Sequence, residues 1–487
     1  MGLFRICLIL LGDSFMSERC LLFAIYASID YESSAKDLYL AGMSKDSTYG
    51  LKKSLGYFSL TNIVVGDMIG AGIFTTSGLL LAQLHDPKLL LLLWVIGGLI
   101  ALCGALSYSE LGAKFPRAGG EYAFLSELFS PLAGFLSGWV SFFVGFTAPV
   151  AASSLAFSEY LVRTLPDGDA LEHIVLIKKA IAVGIILVFT IIHYFGLKSG
   201  SKVQNLLTIL KVGLILILVV VGFVFGEGSF EHFNVQIKVA EGWAGFKTMG
   251  LALMWIMFAY SGWNASTYVG SEVLNPVKNI PRSLITGTLF VTLIYVALNT
   301  LYVYAVPAGE MKGVISIGGL TANHLFNRTL DQFFSLFIAV ILLSAISVLT
   351  IIGPRVYYAM AESGHFFGIA KRINRSNVPG ISILLQSGLA IVFVMSGTFE
   401  QIITLLSFSL GIFPILAVWG VFKLRSKGQS ELKTPWYPVP QILFILFSLA
   451  ILVLAFLERP VESSIALGII LVGIPAYYLL KRNHGSS

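Results

Sequence analysis

Charge is what this sequence has least of. Asp, Glu, Lys and Arg make up 12% of its 487 residues, where soluble domains carry about a quarter. With 56% of residues hydrophobic, such a chain could not hide its apolar surface from water, which excludes an ordinary soluble globular protein. Cysteine is nearly as scarce. Cys7, Cys20 and Cys103 are the whole complement, too few for a disulfide framework. No His/Cys cluster has metal-ligand spacing, so no metal site is expected. The phosphate-binding loop G-x-x-x-x-G-K-[ST] is missing, so ATP hydrolysis by this chain is not expected. His193 and His365 stand alone in the sequence, without a triad or other catalytic constellation, so the chain does not read as an enzyme. A large polar domain is also missing, which argues against a fused receptor or kinase module. Neither a cofactor nor a nucleic-acid partner is expected.

What the sequence has instead is long apolar blocks, and uncharged runs of roughly 20 residues are long enough to cross a bilayer as helices. Apolar blocks and their breakers predict twelve spans, at 58–84, 89–109, 131–164, 176–196, 200–226, 245–274, 283–306, 332–360, 381–397, 401–423, 440–457 and 462–480. The third and sixth are too long for straight perpendicular spans, so tilt or interruption is expected there. Lys and Arg favour, by about two to one, the connections that are internal if the N-terminus is inside. An even span count then puts the C-terminus inside as well. Residues 1–42 read either as an extension or as an overhang ahead of a start at Met43. Residues 43–57 form a basic cytosolic lead, and 481–487 a cytosolic tail.

Within the first span lies "VVGDMIGAGIFTT", Val64 to Thr76, with Gly66, Gly70, Gly72 and the carboxylate Asp67. Each glycine costs a helix about 1 kcal/mol relative to alanine. In lipid, non-helical backbone survives only beside a cavity or inside protein. Close packing of small residues would also account for this composition. The sixth span, however, carries a second weak point in "LMWIMFAYSGWNASTYVGSEV", Leu253 to Val273, at Ser261-Gly262 with polar Asn264, Ser266 and Thr267. Paired interrupted helices in corresponding halves point to a transporter's midplane site. A break exposes N–H groups on one side, suited to a carboxylate, and C=O groups on the other, suited to an ammonium. A ligand carrying both groups is an α-amino acid.

"IGAGIF", "SYSELGAKFPRAGGEYAFL", "GLKSGSKVQNLLTILKVG", "FAYSGWNASTYVGSEVLNPVKNIPRSL" and "GPRVYYAMAESGHFF", in this order, resemble the amino acid–polyamine–organocation (APC) superfamily. The likeness covers roughly Leu55 to Arg482. It is closest to bacterial amino acid permeases of the group containing the L-type and cationic amino acid transporters. The resemblance implies an all-α integral membrane fold, the LeuT-type five-plus-five inverted repeat, with broken helices 1 and 6. The halves would be 58–226 and 245–423. Two further helices, within 440–480, would support packing or oligomerisation; the oligomeric state itself is left open.

By the same resemblance, N–H groups at Gly70, Ala71 and Gly72 would bind a substrate carboxylate. Carbonyls around Phe258, Ala259 and Ser261 would take the ammonium, with Tyr260 and Gly262 in the same segment and Phe258 as an outer aromatic gate. Lys211, in "LLTILKVG", matches a family lysine facing the place where sodium sits in sodium-coupled relatives. From its residues alone it could equally snorkel to the cytosol. Asp67 departs from the family pattern and reads either as an ion-pair partner of Lys211, an acid near the site, or a hydrogen-bonded vestibule carboxylate. Coupling to protons and sodium-independent exchange both remain open.

A wall of Ser141, Phe142, Gly145, Thr147, Tyr260 and Ser261 favours neutral amino acids, with Asp67 as the reservation. A cationic amino acid or polyamine substrate is the alternative, and an ion channel or cation–chloride type transporter is a more distant one. Lys114 to Leu128 reads as an amphipathic cytosolic helix. Its Lys114, Arg117, Glu121 and Glu127 either set orientation or lock to Glu272, Lys278, Arg282 or the Arg355 region. Pro307 to Asp331 is long enough for an extracellular lid.

Overall fold

The computed structural model describes residues 53–165, 173–195, 197–234, 242–314, 316–326, 328–397 and 399–484. The doubtful stretch 1–42, with Cys7 and Cys20, lies outside the described residues, as does most of the cytosolic lead. The described chain is helical. Two isolated β-bridges, Leu55 with Val273 and Ala118 with Val269, are its only strand-like pairings. Ten helical stretches among these residues are long and apolar enough to cross a membrane. The other two expected spans correspond to shorter helices, Gly242–Ala259 and Gly380–Ser396. This is a multi-pass membrane protein.

The first span is two helices, α1 (Tyr57–Met68) and α2 (Ala71–Leu84). The next, α3 (Pro87–Lys114), starts two residues ahead of the expected 89. The Asp86 carboxylate accepts from the N–H groups of Lys88 at 2.7 Å and Leu89 at 3.1 Å, with Pro87 at the first helical position. After a short helix α4 (Glu121–Leu128), the third span opens as α5 (Pro131–Val140), capped by the Ser130 hydroxyl. It loosens into a π-helical turn at Ser141–Gly145, then resumes as α6 (Thr147–Arg163). The expected interruption is thus a single wide turn, and the Thr147 hydroxyl fills it by donating to Phe142 O.

Next come α7 (Ile174–Tyr194), α8 (Leu197–Phe225) and α9 (Gly242–Ala259). Here the sixth expected span, 245–274, is interrupted. The α-helix stops at Ala259, and only two 3-10 turns follow, at Ala265–Thr267 and Gly270–Glu272. Gly262 adopts φ +97°, a conformation that side-chain-bearing residues rarely take. Beyond it the Thr267 hydroxyl donates to Asn264 O at 2.7 Å. Such local side-chain bonds compete with helix propagation.

The chain continues as α10 (Pro276–Ala305), α11 (Ala308–Met311) and α12 (Ile317–Leu325). It ends with α13 (Arg328–Glu362), α14 (Gly380–Ser396), α15 (Phe399–Ser426), α16 (Val439–Glu458) and α17 (Pro460–His484). The last helix runs into the stretch expected as a cytosolic tail. The two short helices α11 and α12 fall within the segment 307–331, and between them Gly313 N donates to Gly78 O in the middle of α2 at 2.9 Å. Outward-facing leucines, isoleucines and valines on α7, α8, α16 and α17, among them Ile191, Ile217, Leu446 and Leu471, are exposed. They supply the apolar surface that lipid solvates.

The opposite end is closed by main chain. Ser54 N and Leu55 N both donate to Glu272 O, at 2.8 and 2.9 Å, and Leu274 N donates to Leu55 O at 2.9 Å. Gly119 N reaches Tyr268 O at 3.1 Å, and Ala118 N reaches the Ser271 hydroxyl at 2.8 Å. Beneath this clasp the Arg355 guanidinium grips the Glu272 carboxylate with two hydrogen bonds, at 2.7 and 3.3 Å, both side chains being fully buried.

Candidate functional site

The last turn of α1 leaves carbonyls without helical partners, and the first turn of α2 leaves N–H groups without them. Ile69 and Gly70 lie between the two helices, and Gly70 caps α2 with no side-chain hydrogen bond. The Gly70 N–H is already engaged with Met68 O at 2.9 Å. That leaves the amides of Ala71 and Gly72 at the positive end of α2, where a helix favours negative charge.

The end of α9 meets this break directly. An added side-chain carbon at position 72 would lie 2.5 Å from Ala259 Cα and 2.6 Å from its Cβ, so glycine permits the contact. The hydroxyl of Tyr295, on α10, touches both Met68 O and Ala259 O. One side chain from a third helix therefore ties the two loosened ends together. Nothing in the sequence sets Tyr295 apart from the other tyrosines of this protein.

A cavity lies beside the junction and encloses about 1200 Å³ of space, part of it open to solvent. Gly70, Ala71, Gly72, Phe258, Ala259, Ser261 and Gly262 line it, together with Asp67. Of the expected wall, Ser141 and Gly145 also face it. Tyr260, Phe142 and Thr147 are not among the lining residues. Tyr260 points away: its hydroxyl donates to Trp94 O at 2.9 Å, and its ring packs on Trp94 and Tyr295. The turn after Ala259 rotates the neighbouring side chains apart, which a list of consecutive residues cannot reveal.

Lys211 does not snorkel. It is fully buried, and its ammonium donates to Gly66 O at 3.0 Å and to Ile69 O. The negative end of α1 is thus occupied by the Lys211 side-chain nitrogen. A direct Asp67–Lys211 ion pair is not formed, because those two carbonyls take the ammonium instead. The Asp67 carboxylate faces the cavity against Gly262, where an added side-chain carbon would come within 2.6 Å of Asp67 Oδ2. With the Lys211 nitrogen already on these carbonyls, the activity of the protein should persist when external sodium is replaced by choline. Sodium-dependent uptake would contradict that arrangement.

Glu121 is the residue sequence reasoning misplaced. Grouped with surface charges, it is instead buried and lines the cavity. The Tyr108 hydroxyl and the Asn264 amide each donate to Glu121 Oε1 at 2.8 Å. Burial holds its carboxyl above the ordinary glutamate range, against the opposing pull of Tyr108, Tyr268 and Asn264. The wall therefore carries a second carboxyl group besides Asp67.

The other charges of that segment pair with none of the expected partners, Lys114 being with Glu431 at 2.9 Å and Arg117 with Glu127 at 2.8 Å. Glu272 pairs with Arg355 and with neither of them. Among the described residues no group of three His, Cys, Asp or Glu could hold a metal ion.

The amino acid permease family matches residues 55–476. The chain is 29% identical to the serine/threonine exchanger SteT of Bacillus subtilis (strain 168), over 90% of this chain and 99% of that one. It is 28% identical to the human b(0,+)-type amino acid transporter 1, covering 89% and 88% of the two chains. The human cystine/glutamate transporter is 29% identical, with 88% and 85% covered.

Proposed function

The chain belongs to the amino acid permease family, and on that premise we propose that it is a secondary active transporter of amino acids working by alternating access. The observation that carries this reading is the meeting of the α1–α2 break with the end of α9 at one cavity. Amides at Ala71 and Gly72 receive the substrate carboxylate, and carbonyls of the Phe258–Ser261 segment receive its ammonium. Phe258 closes over the ligand from the outer side.

The two broken elements belong to inverted five-helix halves, 58–226 and 245–423, in a LeuT-type arrangement. Rocking of one bundle against the other exposes the cavity to each side in turn. The protein sits in the cytoplasmic membrane with both termini inside, and a co-moving proton or a second, counter-moving amino acid supplies the drive. The curated relatives named for amino acid exchange or transport support the substrate class.

Purified protein in liposomes should accumulate radiolabelled amino acids in competition with only part of a panel of the common amino acids and polyamines. Phe258→Ala should lower that uptake severalfold while leaving the amount of inserted protein near normal. Absence of uptake for every member of the panel, by well-folded protein, would reject the transport reading.

A further inference from the structure

One wall of the cavity comes from near the end of the chain. Phe444, Ser448, Ile451 and Leu452, all on α16, line the same cavity as the α1–α2 break. Their spacing puts them on one face of that helix, and Leu449 and Val453 on its other side are exposed. Helix α16 lies outside the two five-helix halves proposed above, where its expected role was packing or oligomerisation.

Three glycines on three helices seat it. A side-chain carbon added at Gly104 on α3 would lie 2.8 Å from the Phe444 ring. One at Gly250 on α9 would lie 2.4 Å from Leu454 Cβ, and one at Gly411 on α15 would lie 2.7 Å from Leu452. The Phe444 ring also packs edge-on against Trp263, in the turn after α9, with centroids 5.5 Å apart.

The far end of α3 fixes the start of α16. Glu110 is fully buried there. Its carboxylate accepts from Arg425 Nε at 3.0 Å and from Arg425 Nη2. It also accepts from the Ser430 hydroxyl at 2.9 Å, and from Thr434 through its main-chain N–H at 2.9 Å and its hydroxyl. The Arg425 guanidinium lies 3.9 Å over the Tyr437 ring, just before α16 begins. Charge-assisted bonds of this number hold the connection between α15 and α16 to α3.

Ser448 is the polar residue on the cavity face of α16. It is 8% exposed, and its hydroxyl makes no hydrogen bond among the described residues. It lacks even the bond to the carbonyl four residues back that Ser109 makes within α3. Buried hydroxyls ordinarily have a partner, and this one borders the cavity.

We infer that α16 is a working wall of the transport site, with Ser448 hydrogen-bonding the occupant and Glu110 as the positioning residue that holds the wall to α3. This rests on the transport reading above and adds a helix and two residues to it.

Thiol labelling in liposomes tests it. Ser448→Cys exchanges one oxygen for sulfur, and is made with Cys7, Cys20 and Cys103 changed to serine. A charged, membrane-impermeant methanethiosulfonate should modify this protein, and a mixture of the common L-amino acids should slow the modification severalfold where mannitol does not. Leu452→Cys, on the same face, should behave alike. Val453→Cys, on the exposed side, should stay unmodified. Glu110→Gln, and more mildly Thr434→Val, should raise the amino acid concentration that gives half-protection, with melting in detergent as the check on folding.

The inference is overturned if both cavity-face variants resist the reagent, or react equally fast with and without amino acids. Unchanged half-protection in well-folded Glu110→Gln and Thr434→Val variants overturns the role of Glu110. In these cases amino acid uptake by the wild type survives. A wild-type protein that moves no amino acid removes the underlying reading as well.

Discussion

Valine at position 72 should reduce amino acid uptake by a factor of ten or more. The first side-chain atom of any replacement lands 2.5 Å from Ala259 Cα, 2.6 Å from its Cβ and 3.3 Å from its main-chain nitrogen. The main chain of α9 cannot yield as a flexible side chain would. Its end is held by the Tyr295 hydroxyl, which also touches Met68 O. The strain therefore falls on the two helix ends that form the site. Overpacking of this kind costs about 1–3 kcal/mol, enough to displace the ends while leaving the rest of the helices folded. Alanine, with one carbon, should produce a milder loss than valine. Uptake into liposomes at matched protein content is the measurement. Wild-type rates for the valine variant would mean that the contact between the two segments has no part in transport.

The second large effect is on stability. Arg355→Met should lower the melting temperature in detergent sharply, because it strands the fully buried Glu272 carboxylate. Removing one partner of a buried ion pair typically costs about 3–5 kcal/mol. The damage should spread, since the main chain of Glu272 accepts the N–H groups of Ser54 and Leu55. Replacing both partners by apolar residues, Arg355→Met with Glu272→Leu, should recover much of the loss, as apolar substitutes for a buried pair often pack comparably. A single Arg355→Met variant melting with wild type would show that the pair contributes nothing to the closed end.

Much of the helical layout was legible from the sequence, because crossing a membrane demands long apolar runs and those runs have visible ends. The expected starts at 89 and 131 lie within two residues of α3 and α5, whose ends the caps Asp86-Pro87 and Ser130-Pro131 fix in the structure. The weak point at Gly70–Gly72 was legible for the same reason, since glycines in an apolar run demand an account. Orientation was harder to read. Tyr260 and Ser261 are neighbours in sequence, yet one packs on Trp94 and the other faces the cavity. Once a helix ends, periodicity no longer says where a side chain points.

Partner choice was equally hidden. Lys114 finds Glu431, more than three hundred residues away, through a fold that local charge patterning does not encode. Glu121 looked like one more surface acid because its donors, Tyr108 and Asn264, come from two separate elements. Lys211 was ambiguous for a different reason. A four-carbon stem can carry its ammonium out to water or in to a helix end, and only the position of the Gly66 and Ile69 carbonyls decides.

The tyrosine of α10 that reaches Met68 O and Ala259 O has one proton to give and two oxygens to satisfy. If either helix end swings away, the hydroxyl remains bonded to the other, so the two swings are cheapest when made in turn. A phenylalanine at Tyr295 would cut this shared pin without emptying its space, leaving each half of the junction to move on its own schedule.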